Sequence, residues 1–447
     1  MSSRVPYALL CFTIWFAPIP LGANRPWAWG LVEALIALTT LLLLVSHSSS
    51  DIIKYARSSF SLLATLLFVQ FCVFLQILGA SWSLSFLPYS FDVSSSETAL
   101  LKGLSYCLFV LCFSVLVSTR RRQKQVIRVV MAAGLTQAVY AVFLQYSGLS
   151  ESFLGYPVSD RARGSFVYHN HLASYLVLCL SLTIGFLVGS LKGFDSGSRR
   201  SRLSSMIETM LSEKWIVRVA IIIMVVALIL TRSRMGNAVF FLSVFVVTAL
   251  ALFVMRRPAN TLKWLVLSLL LMDMFIVGAY FGVEKVKERI ELTSFAGETR
   301  DDVVAASIPY IEDHWFSGSG AGSFGSVFQA YQPSSFGGYY DYAHNEYIQF
   351  LVEFGFFPCL ALALFILYAM SRGLRGLMTE RSRYRCGLHF ALVMALLAIF
   401  IHATVDFVFQ VMPNVLVLLV IISLSFSNNT LIKKASKKKG HYVSNYN

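Results

Sequence analysis

Long apolar runs alternate with short polar or basic segments along almost the whole chain. A bilayer core of roughly 30 Å is crossed by about 20 apolar residues in a helix, and the chain offers about twelve runs of this kind. The runs lie near residues 7–21, 27–45, 60–78, 99–117, 126–146, 171–191, 215–230, 236–255, 262–282, 347–370, 386–401 and 411–426. Because a helix satisfies its own backbone hydrogen bonds in lipid, the pattern predicts an all-α integral membrane protein with about twelve transmembrane helices.

One long polar segment, residues 283–345, interrupts the apolar pattern. It contains charged residues at helix-compatible spacing, then a glycine-rich stretch from Gly318 to Gly325 and an aromatic stretch that ends at Tyr342. Such a segment is too polar to cross lipid and too long for a simple turn. We predict that it forms an external cap of short helices and irregular backbone.

These patterns predict four parts along the chain. Residues 1–282 carry helices one to nine, residues 283–345 form the external loop, residues 346–428 carry helices ten to twelve, and residues 429–447 form a basic tail. The first apolar run lacks a small-residue cleavage site and leads directly into the second run. It is therefore predicted to be a retained helix and not a signal peptide.

Composition and charge support a membrane protein and indicate its orientation. The chain of 447 residues is 57% hydrophobic and 13% charged, which excludes a soluble domain with a polar shell. Most of the 37 Lys and Arg residues fall in alternate loops and in the tail, which predicts that both termini are cytoplasmic. The net charge of +14 thus indicates topology and contact with anionic membrane lipids, not nucleic-acid binding.

The sequence gives no sign of a cofactor or of a metal site. It contains no G-x-x-x-x-G-K-[ST] pattern, no D-x-D in an outer loop, and only dispersed histidines. The seven cysteines form no C-x-x-C pair and lie in or beside apolar runs, which is typical of buried small hydrophobic residues. We expect chemistry that needs neither a metal nor a cofactor.

Two R-x-R pairs lie on the side that the charge bias depletes of basic residues. Arg161 and Arg163 precede the sixth run, and Arg232 and Arg234 lie where the seventh run turns into the eighth. Each arginine could extend its side chain from a helix end to the aqueous surface of the membrane, or pair with a nearby acid, Asp160 or Glu151. Two such pairs also suit a diphosphate, because a guanidinium binds phosphate oxygens in a bidentate manner and keeps its charge.

A polar cluster, H-N-E-Y, stands where the tenth predicted helix begins. His344 is either a structural hydrogen bonder or a base, since an imidazole accepts a proton near neutral pH. Glu346 beside Asn345 could start the helix electrostatically or take part in chemistry. His402 and Asp406 stand four residues apart and would share one face of a helix, as a polar pair that closes the bundle or as part of a site.

Taken in order, these motifs resemble the O-antigen ligase superfamily, which includes lipopolysaccharide O-antigen ligases and O-antigen or exopolysaccharide polymerases. The resemblance covers P-L-G-A-N-R-P-W-A-W-G from Pro20, R-A-R-G-S-F-V-Y-H-N-H-L-A from Arg161, S-R-M-G from Ser233, I-E-D-H-W-F-S-G-S-G-A-G-S-F from Ile311, and H-N-E-Y-I-Q-F-L-V-E-F-G from His344. It implies a GT-C type membrane glycosyltransferase whose active site faces the periplasm of a bacterial inner membrane.

The resemblance also implies roles for single residues. Essential arginines would be Arg161 and Arg234, and the essential histidine would be His344. Arg300 matches a recurring loop arginine and Asp406 a recurring acidic residue near the last span, whereas the position of Arg163 is commonly a small polar residue in the family. From the resemblance and the residue patterns together, the predicted substrate-binding residues are Arg163, Arg232, Arg300, Asn170, Asn345, Glu346, His402 and Asp406.

The hypothesis that combines both lines is glycan transfer from undecaprenyl diphosphate to an acceptor hydroxyl. The acceptor would be lipid A-core for a ligase or another lipid-linked glycan for a polymerase, and the reaction would be metal-independent and inverting. A transporter or flippase of lipid-linked glycans is the alternative, and a non-catalytic scaffold is a third reading. The sequence leaves open the acceptor, the sugar, the linkage and the oligomeric state.

Overall fold

The computed structural model describes residues 3–83, 87–190, 213–255, 299–334 and 338–427, without the side chains of residues 213, 214, 299 and 300. The α-helices of these ranges are α1 Arg4–Phe16, α2 Pro26–Ser46, α3 Ser49–Ala56, α4 Phe60–Ser81, α5 Val93–Leu116, α6 Arg120–Tyr146, α7 His169–Ser190, α8 Glu213–Leu230, α9 Arg234–Val254, α10 Thr299–His314, α11 Phe324–Tyr331, α12 Glu346–Phe354, α13 Phe356–Thr379, α14 Arg383–His402 and α15 Met412–Phe426. The ninth predicted membrane helix, residues 262–282, and the basic tail, residues 429–447, lie outside the described residues.

Eight helical segments in the described ranges are long and apolar enough to cross a membrane. They are Pro26–Ser46, Ser49–Ser81, Val93–Leu116, Arg120–Tyr146, His169–Ser190, Arg234–Val254, Phe356–Thr379 and Arg383–His402. Three shorter apolar helices, Arg4–Phe16, Trp215–Leu230 and Met412–Phe426, accompany them. The protein is therefore an all-helical, multi-pass membrane protein in the part described, while the number of twelve spans and the GT-C type stay predictions.

Helices α7 and α14 form the centre of the bundle. Buried residues make up 94% of the apolar window of α7 and 83% of that of α14, against 22% for α13. The two helices pack on each other along their length, and Gly185 and Gly387 allow their backbones to approach closely. Residues at the ends of α7 and α14 are thus held by packing on all sides, whereas α13 offers an apolar outer surface of the kind that faces lipid.

The helices define two ends of the bundle. Helices α2, α5, α7, α9 and α13 begin, and α14 ends, at the end that carries His344, which we call the site end. At the opposite end, Arg385 donates hydrogen bonds to the carbonyls of Leu424 and Ser425, and Arg122 donates to the carbonyl of Leu116 at the end of α5. Arginines at the opposite end therefore close the termini of other helices, as basic side chains do at helix C-termini.

The predicted tenth membrane helix, residues 347–370, is wrong as a single helix. The chain forms the nine-residue helix α12, breaks at Gly355, and only then begins the longer apolar helix α13. Gly355 has φ +73°, and a Cβ atom there would stand 2.5 Å from the carbonyl oxygen of Phe316. Glycine alone tolerates this backbone and this approach, so His344 lies one short helix away from the membrane-length helix.

The described part of the predicted external cap, residues 299–334 and 338–345, packs at the site end. It contains α10, α11 and the glycine-rich loop Gly318–Gly322. The backbone N–H groups of Gly322 and Phe324 face the carboxylate of Glu353, and Gln76 on α4 donates to the carbonyl oxygens of Ser317 and Glu353. The loop therefore encloses a side chain of α12 and fastens this helix to the bundle.

Candidate active site

His344 stands just before α12 in a conformation that few residues adopt. Its φ is +52°, in the left-handed region that costs an L-residue about 1–2 kcal/mol. Asn345 follows as the N-cap, and its Oδ1 accepts hydrogen bonds from the backbone N–H groups of Tyr347 and Ile348. A side-chain cap of this kind stabilises a helix by about 1 kcal/mol, so it offsets much of the cost and fixes where His344 stands.

The ring of His344 faces the carboxylate of Asp406. His344 Nδ1 lies 3.8 Å from Asp406 Oδ1, which is longer than a hydrogen bond but within reach of an ion pair. The side chain of His344 is 30% exposed and that of Asp406 is 3% exposed. Because Nδ1 is buried on the side of Asp406, the other ring nitrogen, Nε2, is the atom that a substrate could reach.

Asp406 is held in place by two further donors. Asn170 Nδ2 donates to Asp406 Oδ2 at 2.5 Å, and the backbone N–H of Phe407 donates to Asp406 Oδ1 at 2.9 Å. Burial alone would raise the pKa of this carboxyl, but the imidazoles of His344, His171 and His402 and the N–H of Phe407 hold the pKa well below its usual range. Asp406 is thus an ionised carboxylate, fixed in orientation beside His344.

An aromatic cluster surrounds this pair. The ring of Phe407 meets His344 edge-on at 4.9 Å between centroids and His171 at 4.8 Å, and it stacks on Tyr342 at 4.2 Å. Tyr168 completes the cluster at 5.8 Å from Phe407. These rings fix the orientation of His344 through packing on one side, as Asp406 does through charge on another.

The prediction that His402 and Asp406 share a helix face is wrong. Helix α14 ends at His402, and Asp406 follows in a turn, because the N–H groups of Thr404 and Val405 bond to carbonyls only three residues back. His402 Nδ1 instead lies 2.9 Å from Ser174 Oγ on α7. The turn directs the Asp406 carboxylate toward His344 and Asn170, which a continued helix would not do.

Glu346 lies in the interior beneath His344. Its Oε1 accepts a hydrogen bond from the N–H of Phe409 at 2.7 Å, and its own N–H donates to the carbonyl of Ala403 at 2.9 Å. Burial, together with the nearby Glu353, raises the pKa of Glu346 to about 8, against the lowering effect of the Phe409 hydrogen bond. Glu346 therefore ties the start of α12 to the turn that carries Asp406.

The segment Arg161–Ser165 packs against the chain between α1 and α2. Ser165 Oγ lies 2.5 Å from the carbonyl oxygen of Pro18 and 2.9 Å from Gln137 Oε1, either of which can accept its one proton, and the ring of Phe166 touches Gly22. This buried anchor leaves Arg161 exposed, with Nη1 3.0 Å from His169 Nε2. Arg163 is half-buried and donates to the carbonyl of Val167 at 3.2 Å.

The second R-x-R pair lies next to the first. The N–H of Ala162 donates to the carbonyl of Leu230 at 3.0 Å, and Arg232 forms an ion pair with Asp160 at 3.2 Å. Arg234 is exposed at the first residue of α9 and has no hydrogen bond or ion pair to any other described residue. The structure thus brings both pairs to the same edge of the site end, and one of the four arginines, Arg232, takes the alternative role of pairing with Asp160.

Two consecutive residues at the start of α7 connect the arginines to the histidine. His169 contacts Arg161, and Asn170 binds Asp406, which faces His344. Because almost all of the apolar window of α7 is buried, both contacts start from a helix that packing holds in place. The arginine pairs and His344 are therefore parts of one region.

Most of the predicted residues meet in this region, and some contributors were not predicted. Arg300 lies in the first turn of α10, and its side chain is outside the described residues. Two ring neighbours of His344, Phe407 and Tyr342, were not predicted from the sequence, nor was Glu353 as the residue enclosed by the glycine-rich loop. Phe407 directly follows Asp406, and Glu353 lies seven residues after Glu346, so helical spacing was the available signal for Glu353.

Within the described ranges, no group of three or more His, Cys, Asp or Glu side chains is arranged to hold a metal ion. The ionisable groups around His344 are instead bound to one another and to backbone amides.

Comparison with known protein families gives one match. Residues 219–366 match a family model described as O-Antigen ligase. This range contains Arg232, Arg234, Arg300, His344 and Glu346, whereas Arg161, Asn170 and Asp406 lie outside it. A search of curated proteins finds no match. The match confirms the predicted resemblance to the O-antigen ligase superfamily over residues 219–366.

Proposed function

We propose that the protein transfers a glycan from undecaprenyl diphosphate to an acceptor hydroxyl on the periplasmic side of a bacterial inner membrane. The family supports a membrane enzyme of the ligase or polymerase type. One observation carries the proposal: adjacent residues of α7, His169 and Asn170, contact Arg161 on one side and the Asp406–His344 pair on the other. A candidate phosphate-binding group, Arg161, and a candidate base, His344, are thus both connected to the first turn of α7.

In this proposal the two R-x-R pairs bind the diphosphate of the donor. Arg161 and Arg234 are exposed, and guanidinium groups bind diphosphate oxygens with bidentate hydrogen bonds. The charge that develops on the departing diphosphate is then neutralised by arginines, as electrostatic catalysis requires. Arg163 and Arg232 hold the two segments in place through Val167 and Asp160 and add positive charge.

His344 acts as the base. As the acceptor oxygen forms its bond to the anomeric carbon, the bond from that carbon to the diphosphate oxygen breaks, and the leaving group keeps the electron pair. Nε2 of His344 takes the proton from the acceptor hydroxyl, and the Asp406 carboxylate stabilises the imidazolium that results. Attack from the face opposite the leaving group inverts the anomeric configuration. The described part of the external cap, residues 299–334 and 338–345, excludes water that would otherwise hydrolyse the donor.

The orientation of the protein in the membrane follows from the charge bias. Arg122, Arg372 and Arg385 lie at the end of the bundle opposite His344. Basic residues favour the cytoplasmic side, so the proposal puts the site end in the periplasm. Undecaprenyl-linked glycans and lipid A-core acceptors would then meet at the outer leaflet.

A purified assay separates an enzyme from a transporter. The protein in detergent, mixed with a lipid-linked glycan and an acceptor, makes a new glycosidic bond if it is an enzyme, whereas a transporter changes nothing without two compartments. Arg161→Lys and Arg234→Lys should each lower the rate of glycan transfer about tenfold or more. Lysine keeps the positive charge but cannot form the bidentate hydrogen bonds of a guanidinium. Full activity of both variants would locate the diphosphate site elsewhere.

The acceptor is tested in cells. A strain that lacks this protein accumulates long lipid-linked chains if the protein is a ligase for lipid A-core, and single repeats if it is a polymerase. Either result fits the proposed transfer, and unchanged lipid-linked glycans would reject it.

A further inference from the structure

One lysine lies in the middle of an apolar helix near the site end. Lys102 is nine residues past the start of α5, which corresponds to a depth of about 13 Å along the helix axis. Helical side chains lean toward the N-terminus of their helix, and α5 begins at the site end. The ammonium accordingly reaches the ring of Trp29, 3.5 Å from the ring centroid. Trp29 is in the first turn of α2, so the Lys102 charge lies near the membrane boundary.

The ammonium of Lys102 forms no ion pair with a carboxylate of the described residues. The nearest acid is Glu33 on α2, yet among the described residues no carboxylate lies within 4 Å of the Lys102 ammonium. Oε1 of Glu33 is buried and accepts no hydrogen bond there. Burying a charged group at this depth costs free energy unless an opposite charge lies beside it. The ammonium and Trp29 can therefore bind an anionic group that comes from outside the protein.

The edge between α2 and α5 is apolar on its outside. Leu31, Leu101 and Leu104 beside the lysine are exposed, as side chains that contact lipid tails are. Trp27 is also exposed in the first turn of α2, where tryptophan is typical of the membrane boundary. A molecule that reaches Lys102 from this edge would come from the membrane.

Arg25 connects this edge to the arginine pairs. It precedes α2, one turn from Trp29 on the same face, and donates to Tyr156 Oη at 2.6 and 3.1 Å. Tyr156 lines a shallow pocket together with Arg161 and Arg163. The hydrogen bond with Tyr156 raises the pKa of Arg25, and the hydroxyls of Tyr168 and Tyr342 near His344 add to this effect. Positive charge therefore continues from Lys102 through Arg25 to the candidate active site.

We infer that Lys102, Trp29 and Arg25 form a lateral site that binds the phosphate group of a membrane lipid at the mouth between α2 and α5. The ammonium and guanidinium bind phosphate oxygens, and the indole ring stands at the depth of the lipid headgroups. Resting on the proposed function, the lipid is the polyprenyl phosphate part of the donor, which would pass this site on its way to Arg161. A bulk anionic phospholipid carries the same phosphate chemistry and is distinguished by the test.

Native mass spectrometry of the purified full-length protein can measure binding of two probes, undecaprenyl phosphate and phosphatidylglycerol. Lys102→Met should weaken binding of undecaprenyl phosphate about fivefold, as expected for loss of one basic residue at a membrane surface. Lys102→Arg should retain it. Lys54→Met is the matched control, because Lys54 also lies over an aromatic ring, Tyr55, but at the opposite end of the bundle.

The double variant Lys102→Met/Glu33→Gln tests whether the lysine serves only to neutralise Glu33. If it binds a lipid phosphate, the double variant stays as weak as Lys102→Met, and recovery of binding would overturn the inference. If Lys102→Met weakens binding of undecaprenyl phosphate alone, the site is specific for the donor. If it weakens binding of both probes, the site binds lipid phosphates in general, and if it weakens binding of neither probe, the inference is overturned. Binding needs no transfer, so a protein that makes no glycosidic bond but loses the probe on Lys102→Met would reject the proposed function and keep this inference.

Discussion

At the scale of single residues, the proposed chemistry depends on how Asp406 orients His344. The carboxylate faces Nδ1 of the imidazole, while Asn170 and the N–H of Phe407 each donate a hydrogen bond to one of its two oxygens. A histidine held in this way presents Nε2 to the substrate and is stabilised when it takes a proton. Asp406 is therefore a positioning residue, and His344 is the residue that we propose touches the acceptor.

We expect Asp406→Asn to lower kcat about tenfold to a hundredfold with little change in KM. The amide keeps the shape of the side chain but loses the charge that stabilises the imidazolium, which is a loss confined to the transition state. Steady-state transfer by the purified variant measures this. Thr404→Ala, at an exposed position of the same turn, is the control and should keep full activity. An equal loss in both variants would contradict a specific role for Asp406.

Stability should fall as pH rises, because of the two buried acids of α12. Burial, more than any other cause, raises the pKa of Glu346 to about 8 and that of Glu353 to about 7, above an ordinary value of 4.5. The folded protein thus holds these protons more tightly than the unfolded chain, so their stabilising effect is full below pH 4.5 and is lost as the pH rises through about 7 to 8.

Thermal unfolding in detergent between about pH 5 and about pH 9 checks this dependence. Glu346→Gln should flatten the decline in Tm, since the amide does not titrate, whereas Glu312→Gln on the exposed surface of α10 should leave it unchanged. A Tm that rises toward alkaline pH in the unmodified protein would contradict the direction of these pKa shifts.

At the scale of elements, the short helix α12 is what positions the site. Three polar side chains, Glu346, Gln349 and Glu353, line its buried face, and they bind the turn after α14 and the glycine-rich loop. A helix that buries polar residues against loops needs every one of them hydrogen-bonded. Glycine-rich loops often bind phosphate, but here the amides of Gly322 and Phe324 face the Glu353 carboxylate.

Gly355→Ala should disrupt this element. The substitution adds a Cβ atom 2.5 Å from the Phe316 carbonyl at φ +73°, so the backbone must move. We expect a loss of more than about 1 kcal/mol in the free energy of unfolding, with loss of transfer activity. Gly148→Ala is the control, because its φ is also positive but no atom lies within 4 Å of the added Cβ. Equal stability of the two variants would show that the close approach at Gly355 is unimportant.

Helical membrane segments could be predicted from the sequence, and the break at Gly355 could not. The run 347–370 is apolar enough to be one helix, and only the tertiary approach of Gly355 to Phe316 and Gly318 reveals why it ends. Likewise, the spacing of His402 and Asp406 fits a helix, while the turn that separates them depends on hydrogen bonds to Glu346 and Asn170. The residue types in the sequence predicted His344 and the arginines as site residues. Only the fold shows that Phe407 packs against His344 and that Asn170 binds Asp406.

At the scale of the whole molecule, the site end and the opposite end differ in chemistry. The central helices α7 and α14 are enclosed and carry polar residues at the site end, while arginines at the opposite end close other helix termini. A rigid centre with a polar end suits a fixed catalytic site at one membrane surface. Alternating access would require helices that move past one another at the midplane.

Single cysteines on a cysteine-free background test the orientation. Glu151→Cys at the site end should react with a membrane-impermeant maleimide in cells whose outer membrane alone is permeable. Ser50→Cys, at the start of α3 at the opposite end, should react only after the inner membrane is opened; both positions are exposed. The reverse pattern would put the candidate active site in the cytoplasm and contradict the use of a periplasmic donor.

The central claim is that His344 takes the proton of the acceptor hydroxyl, and its most direct test is transfer by purified His344→Ala. With lipid-linked donor and acceptor both saturating, the account predicts a loss of at least about a hundredfold in kcat. The variant should keep the Tm of the unmodified protein, because His344 is partly exposed and Asn345 still caps α12. Transfer at the unmodified rate by folded His344→Ala would contradict the account.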